Sequence, residues 1–278
     1  MRDFASVFET LDRTTSTNAK VDALAAHFAR SEPADAAWSL FLLTGRRPKR
    51  LVPTGALRRW AAAEAGLDDW LFEECYTTVG DLAETIHLVL PPGDGSGEAR
   101  SLHEWMEEIR GLRASDEERQ REAVVHAWRT LDGTARFLFT KALTGALRVG
   151  VSQTLAVRGL EKATGVDRAT LGHRLMGTWQ PTAEWFEALI AASTTEDDLS
   201  RPYPFFLASP LDGDPQALGD RRDWQVEWKW DGIRAQLLRR GGNTWIWSRG
   251  EELVTDRYPE IEEASHWLDD GTVLDGEL

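Results

Sequence analysis

The stretch TTEDDLSRPYPFF, residues 194–206, divides the sequence into two parts with different hydrophobic patterns. Before it, apolar residues recur at helical spacing, as in TNAKVDALAAHFAR at 17–30. Within it, Pro202 and Pro204 are incompatible with a helix interior. After it, WQVEWKW, IRAQLLRR, TWIWSR and GTVLDGEL favour the period-two pattern of strands. We therefore predict an all-helical domain over 1–200 and a sheet-containing domain over 201–278.

Turn and cap signals add detail to both domains. Gly241-Gly242 separates two predicted strands, which is typical of a hairpin turn. In the helical part, Ser115 and Glu118 have the spacing of a capping box and predict a helix that runs to about Thr130. The stretch PPGDGSGE, residues 91–98, predicts a flexible loop that separates two groups of helices.

Composition limits the classes of protein that the chain can represent. It has 278 residues, of which 42% are hydrophobic, enough for one large or two ordinary domains. Its one cysteine, Cys75, excludes an internal disulfide and a cysteine-based metal cage. The six histidines lack metal-ligand spacing, and no apolar run approaches the roughly 18 residues of a membrane span. We expect a soluble, cytoplasmic, monomeric protein.

The charge distribution gives two opposing indications. The net charge of −14 argues against a nucleic-acid partner, because phosphate binding is mainly electrostatic. Residues 129–174, however, contain eight basic and three acidic residues, an excess of five positive charges. This basic segment is a candidate site for a polyanion. Chance clustering on a solvated helical face is the alternative.

The second domain looks incomplete. Only 78 residues follow residue 200, and Leu278 ends a predicted strand that has no covering helix. Such an ending would leave sheet edges and faces unprotected. We expect the chain to be a fragment of a longer protein.

Lys229 is unusual in this sequence. The chain has five lysines and 27 arginines. Lys229 is the only lysine in the sequence after Lys162. If VEWKW is a strand, Val226, Trp228 and Trp230 share one face, which can be buried. Glu227, Lys229 and Asp231 then share the other face and can line a cleft.

Gly232 and Arg234 complete a candidate phosphate-handling site. Glycine lets the backbone approach a ligand, arginine binds phosphate, and carboxylates hold Mg²⁺ or a ribose hydroxyl. A free lysine is almost entirely protonated at pH 7 and is a poor nucleophile. Burial by the tryptophans, Arg234 and a bound divalent cation would offset the flanking carboxylates. A solvated ladder of lysine and carboxylates is the alternative that these residues alone leave open.

Three motifs resemble those of the covalent nucleotidyltransferases, the superfamily of DNA ligases, RNA ligases and mRNA capping enzymes. Lys229–Arg234 resembles the Lys-x-Asp-Gly-x-Arg motif. SRGEE at 248–252 and VLDGEL at 273–278 resemble the two motifs that follow it, in the same order. Gly250 departs from the family, which commonly has asparagine there.

The helical part resembles one branch of that superfamily. FLFTKALTGALRVGVSQTLAVRGLEKATG at 137–165 and VGDLAETI at 79–86 are similar to segments of the helical DNA-binding domain of ATP-dependent DNA ligases. The resemblance implies a multidomain protein, with an all-α N-terminal DNA-binding domain followed by the start of an α+β adenylation domain with an antiparallel sheet. It also implies that the later motifs and an OB-fold domain lie beyond Leu278.

The resemblance further implies roles for single residues. Lys229 would attack the α-phosphate of ATP and hold AMP before its transfer to a nick in duplex DNA. Glu227 would accept a hydrogen bond from the adenine amino group, Arg234 and Arg249 would bind the sugar-phosphate side, and Glu277 would bind the ribose or Mg²⁺. The expected phosphate contacts to DNA are Arg148, then Lys141 and Arg158.

Two alternatives to nick sealing stay open. An RNA ligase or capping-type enzyme would share the lysine motif without the helical domain. A truncated chain could instead bind DNA without catalysis, because the motifs expected beyond Leu278 would be needed for ligation.

Overall fold

The structure is a computed structural model that describes residues 1–48, 52–145, 147, 149–175, 178–191, 199–205, 211, 213–225, 228, 230–250 and 253–278. The helices within these residues are α1 Arg2–Asp12, α2 Thr17–Arg30, α3 Pro33–Leu43, α4 Thr54–Ala65, α5 Asp69–Val79, α6 Leu82–Val89, α7 Leu102–Gly111, α8 Glu117–Thr130, α9 Gly133–Thr144, α10 Gln153–Thr164, α11 Arg168–Arg174, α12 Ala183–Ile190 and α13 Pro259–Ala264. The strands are β1 Arg234–Arg240, β2 Asn243–Ser248 and β3 Val273–Glu277. The predicted order of a helical part followed by an antiparallel sheet is confirmed.

The chain forms two compact units. The first comprises Met1–Arg168 and Gln180–Ala191, and the second comprises Ala169–Trp179 and Ala192–Leu278. The domain boundary at residue 200 stays a prediction. Among the described helices, none combines the length and the apolar character that crossing a membrane requires.

The first unit is built on helix pairs with closely approaching backbones. The helices α2 and α10 pack against each other, as do α6 and α9, and α3 and α12. At the α2–α10 contact, a Cβ atom on Gly159 would lie 2.6 Å from the Cβ atom of Leu24. Since real Cβ atoms do not approach so closely, a residue without a side chain is required there.

The helix caps lie close to their predicted positions. Ser16 caps α2 and accepts a hydrogen bond from the N–H of Ala19. For α8 the predicted end at Thr130 is confirmed, but its cap is Asp116, one residue after Ser115. A complete capping box occurs instead at Ser101 and Glu104, at the start of α7.

The segment predicted as a flexible loop, residues 91–98, is packed and hydrogen-bonded. The N–H of Asp94 donates to the carbonyl of Arg129 at 2.9 Å, and the indole of Trp105 donates to the carbonyl of Gly97 at 3.1 Å. A Cβ atom on Gly93 would lie 2.1 Å from the carbonyl oxygen of Leu131. The glycines in this segment therefore allow close packing against the end of α8.

The second unit contains an antiparallel sheet in the order β2-β1-β3. The predicted hairpin turn at Gly241-Gly242 is confirmed, because both glycines have positive φ angles, 55° and 76°. One face of the sheet packs Ala235, Ile246 and Val254 into a small core. The sequence motifs meet at the end of the sheet opposite this hairpin.

The predicted strand WQVEWKW is wrong over the residues that the structure describes. Trp224, Gln225, Trp228 and Trp230 lie outside any strand. Trp228 is 83% exposed and Trp230 is 69% exposed, so the expected burial of these two side chains is also wrong. Alternation predicts a buried face only where another surface covers it, and the described residues of this unit provide none for these tryptophans.

Candidate nucleotide-binding site and DNA-binding surface

Three motifs that are separate in the sequence meet at one end of the sheet. Arg234, the last residue of the first motif, opens β1, and its Cα partner is Glu277 at the end of β3. Arg249 follows β2, and its backbone N–H donates to the carbonyl of Arg234 at 2.9 Å. Antiparallel pairing thus brings the first motif beside both others.

Gly232 is fixed by a close contact with the third motif. A Cβ atom at this position would lie 2.6 Å from the carbonyl oxygen of Leu278 and 3.4 Å from Oε2 of Glu277. The adjacent residue Ile233 exchanges backbone hydrogen bonds of 3.2 and 2.9 Å with Leu278. Any side chain at 232 would push these two chain segments apart.

Arg234 forms an ion pair that the sequence reasoning missed. Its Nε atom lies 2.6 Å from Oδ1 of Asp275, and the two side chains are only 21% and 27% exposed. The pair is diagonal across β1 and β3, because Asp275 stands two residues before Glu277, the Cα partner of Arg234. The register of the two strands, once known, identifies Asp275 as a carboxylate that pairs with this guanidinium.

The face of the sheet that carries Arg234 also holds the incoming chain. Gln236 is buried, and its amide pairs with the backbone of Tyr203, accepting at 2.7 Å and donating at 3.1 Å. The indole of Trp247 donates to the carbonyl of Ser200 at 2.6 Å. These contacts fix residues 200–203 against β1 and β2.

The remaining predicted ligands of the nucleotide differ in exposure. Glu277 is half-buried and Arg249 is exposed. The described residues contain no group of three side chains that could hold a metal ion. A single carboxylate together with substrate phosphates is nonetheless a common way to bind Mg²⁺, and Glu277 fits that role. Lys229 and Glu227 lie outside the described residues, so their predicted roles stay predictions.

The predicted DNA contacts have different surroundings. Lys141 forms an ion pair with Asp81, the N-cap residue of α6, and its side chain is 18% exposed. Hydrogen bonding from Lys141 helps lower the pKa of Asp81, although burial, the largest effect, opposes it. Arg158 is half-buried and donates to Oδ1 of Asn18 at 3.3 Å. Arg148 lies outside the described residues.

Acidic partners from elsewhere neutralise much of the basic segment. Arg129 pairs with Glu64 at 2.8 Å and Lys162 with Asp22 at 2.7 Å, in addition to the pair of Lys141 with Asp81. These three acidic partners lie outside residues 129–174, so they reduce the excess of five positive charges to two. A count along the sequence therefore overstates the local positive charge.

Arg136, another cation of this segment, is buried in the helical unit. It is 3% exposed and donates to the carbonyls of Pro91, at 2.5 Å, and His87, at 3.2 Å. Burial lowers its pKa, although Asp132 opposes that effect. This arginine binds backbone carbonyls at the end of α6 and is not part of a surface that could bind a polyanion.

The helical part and the three motifs on one sheet define the class as a covalent nucleotidyltransferase with a helical N-terminal part. Residues 1–161 match the family described as DNA ligase N terminus, and residues 205–278 match the ATP dependent DNA ligase domain. The chain therefore belongs to the ATP-dependent DNA ligase family.

Several bacterial and archaeal proteins are similar to this chain. A probable DNA ligase of Koribacter versatilis is 25% identical over 100% of this chain and 50% of its own length. One from Pseudarthrobacter chlorophenolicus is 30% identical over 95% of this chain and 48% of its own length. A DNA ligase of Archaeoglobus fulgidus is 30% identical over 52% of this chain and 27% of its own length. The chain spans at most about half the length of these relatives.

Proposed function

We propose that the chain carries the DNA-binding part and the lysine-bearing part of an ATP-dependent DNA ligase. The amine of Lys229 attacks the α-phosphorus of ATP, an N–P bond forms, and the bond to the leaving pyrophosphate breaks. The lysine loses its proton in this step. AMP then passes to the 5′-phosphate at a nick, and the neighbouring 3′-hydroxyl displaces it as the strand is sealed.

The observation that carries this proposal is the meeting of the three motifs at one sheet end. A phosphate site requires several donors held in fixed positions before the substrate arrives. Gly232 packed against the end of β3, and Arg234 paired with Asp275, provide such fixed positions beside the segment that contains Lys229.

The roles of the surrounding residues follow from their chemistry. Arg234 and Arg249 bind the sugar-phosphate side of the nucleotide, because guanidinium groups pair well with phosphate oxygens. Glu277 accepts from the ribose or binds Mg²⁺, which offsets negative charge on the phosphates when it is bound. Glu227 accepts from the adenine amino group.

The proposed macromolecular partner is nicked duplex DNA, bound by one copy of the chain. Of the two predicted contacts that the structure describes, Arg158 is better suited to a phosphate contact, because it makes no ion pair within the described residues. Lys141 would have to exchange Asp81 for a phosphate, so its contribution to affinity is the smaller one. Arg148 is the third proposed phosphate contact, because it lies in the stretch 137–165 that resembles the DNA-binding domain of the family.

An adenylation assay tests this proposal. The chain and the complete gene product that contains it are incubated with α-labelled ATP and Mg²⁺, denatured, and examined for acid-labile label on the protein. We expect label on the complete gene product that Lys229→Ala abolishes. Lys162→Ala is the matched control, because it removes a lysine that pairs with Asp22 in the helical unit, and it should retain the label.

The same preparation separates the competing activities. Sealing of a nicked DNA duplex in preference to nicked RNA supports a DNA ligase, whereas the reverse preference supports an RNA ligase. If the folded gene product binds nicked DNA but takes no label, the ligase mechanism is refuted and DNA binding alone remains.

A further inference from the structure

Helix α2 holds both α10 and the loop that precedes it. Asn18 accepts a hydrogen bond from Arg158, and Asp22 pairs with Lys162 at 2.7 Å, so the two helices are joined by polar contacts along their length. Lys20, which lies between Asn18 and Asp22 on α2, donates to the backbone of the loop that precedes α10.

The contact of Lys20 is made entirely with backbone. Its Nζ atom donates to the carbonyl of Val149 at 2.9 Å and to that of Gly150 at 3.4 Å. Within the described residues this ammonium group makes no ion pair with a carboxylate. Two carbonyl oxygens thus hold the charge, which differs from the carboxylate pairs of Lys141 and Lys162.

Gly150 is suited to this contact in two ways. Its φ angle is 64°, a left-handed conformation that glycine adopts without strain. A Cβ atom at this position would lie 2.9 Å from Nζ of Lys20, so a side chain would displace the ammonium group. The glycine therefore serves both the backbone turn and the approach of the lysine.

We propose that Lys20 is a positioning residue that holds the backbone of Val149 and Gly150, next to Arg148 in the sequence, for contact of this segment with the DNA backbone. This inference rests on the proposed function, in which the loop residue Arg148 contacts a phosphate. The two bonded carbonyls lie between Arg148 and Ser152, whose side chain caps α10 by accepting from the N–H of Leu155 at 3.2 Å. A backbone segment that is held in place before DNA arrives binds more tightly, because less conformational entropy is lost on binding.

Two variants separate positioning from a direct contact between Lys20 and DNA. Lys20→Met removes the ammonium group, whereas Gly150→Ala keeps it but pushes it off the loop. Binding of the 278-residue chain to a nicked duplex with a 5′-phosphate is measured as a function of salt, without ATP or Mg²⁺. We expect both variants to bind about five- to tenfold more weakly, with the salt slope reduced by about one phosphate contact.

Arg148→Ala provides a double-mutant cycle. If Lys20 acts through the loop, neither variant weakens binding further in the Arg148→Ala background. Gly165→Ala is the matched control for backbone strain, since Gly165 has a φ angle of 75° and a Cβ atom there would meet nothing within 4 Å. Arg30→Met is the control for charge, because it removes one positive charge from the far end of α2. Both controls should keep DNA affinity within about twofold of the original chain.

The possible outcomes are distinct. Effects of Lys20→Met that add to those of Arg148→Ala, or normal affinity of Gly150→Ala, would show a direct contact and overturn the positioning role. Unchanged affinity of folded Lys20→Met would overturn it as well. If Lys20→Met does not fold, as judged by circular dichroism, the DNA affinities of Gly150→Ala and Gly165→Ala are compared instead. Weaker binding of Gly150→Ala alone supports the positioning role, and equal affinities overturn it. Failure of the original chain to bind nicked DNA would refute the DNA-binding part of the proposed function, and this inference with it.

Discussion

The buried imidazole of His27 makes the stability of the helical unit depend on pH. The side chain is 2% exposed, and its Nε2 atom lies 2.9 Å from the hydroxyl of Ser39. Burial, with a smaller contribution from the nearby charge of Arg30, lowers the pKa of His27 from 6.5 to about 4, whereas Asp3 and Asp35 act in the opposite direction. His27 is therefore neutral in the folded protein at pH 7.

The size of the effect follows from the difference between the folded and unfolded pKa values. Between pH 6.5 and about 4, the unfolded chain binds a proton at this histidine and the folded chain does not. The free energy of unfolding thus decreases as the pH falls through this range. At about 1.4 kcal/mol per pKa unit, the loss attributable to His27 is about 3 kcal/mol by pH 4.

Urea unfolding followed by circular dichroism at 222 nm measures this loss, because the helical unit dominates that signal. His27→Gln is the comparison, since glutamine can bond to the Ser39 hydroxyl but does not titrate. Between pH 7 and pH 4 the original chain should lose about 3 kcal/mol more unfolding free energy than the variant. Equal losses in the two proteins would show that His27 titrates normally, and the assignment of a neutral buried imidazole would be wrong.

Three further substitutions, together with one control, test close contacts and an ion pair. Gly159→Ala should lower the unfolding free energy by about 1–3 kcal/mol, because its Cβ would collide with α2. Gly111→Ala, which meets nothing within 4 Å, should change it by less than about 1 kcal/mol; equal effects would contradict the packing at α2–α10. Gly232→Ala should lower adenylation of the complete gene product about 100-fold without altering helical unfolding, and unchanged labelling would refute the close approach at the sheet end. Asp275→Asn should slow adenylation about 10- to 100-fold, because it removes the charge that pairs with Arg234; a normal rate would mean that the pair is dispensable.

Local sequence patterns predicted the elements whose cause is local. The hairpin at Gly241-Gly242 requires two positive φ angles, and glycine supplies them in any context. The strand predicted around Trp228 failed because alternation needs a covering surface, which is a property of the tertiary structure. The PPGDGSGE segment is a loop, as predicted, but the sequence did not reveal that its glycines allow close packing against the end of α8.

The candidate site could be predicted as a set of motifs but not as a set of contacts. The order of the three motifs indicates the family, whereas the pairing of Arg234 with Asp275 depends on the register of β1 and β3. Charge counting failed for the same reason at Lys141, whose partner Asp81 lies 60 residues earlier in the chain. Ion pairs between distant residues are decided by packing, which a running sum of charge does not represent.

The use of lysine in this chain leads to a last prediction. The three lysines that the structure describes, Lys20, Lys141 and Lys162, each make a point contact with another part of the helical unit. A compact ammonium group suits such contacts, and arginine serves at most other cationic positions. If Lys229 supplied only positive charge, Lys229→Arg would keep the acid-labile label in the adenylation assay. Because a guanidinium group stays protonated and does not form the N–P bond, we expect Lys229→Arg to lose the label as completely as Lys229→Ala. Label retained by the arginine variant would mean that another residue is the nucleophile.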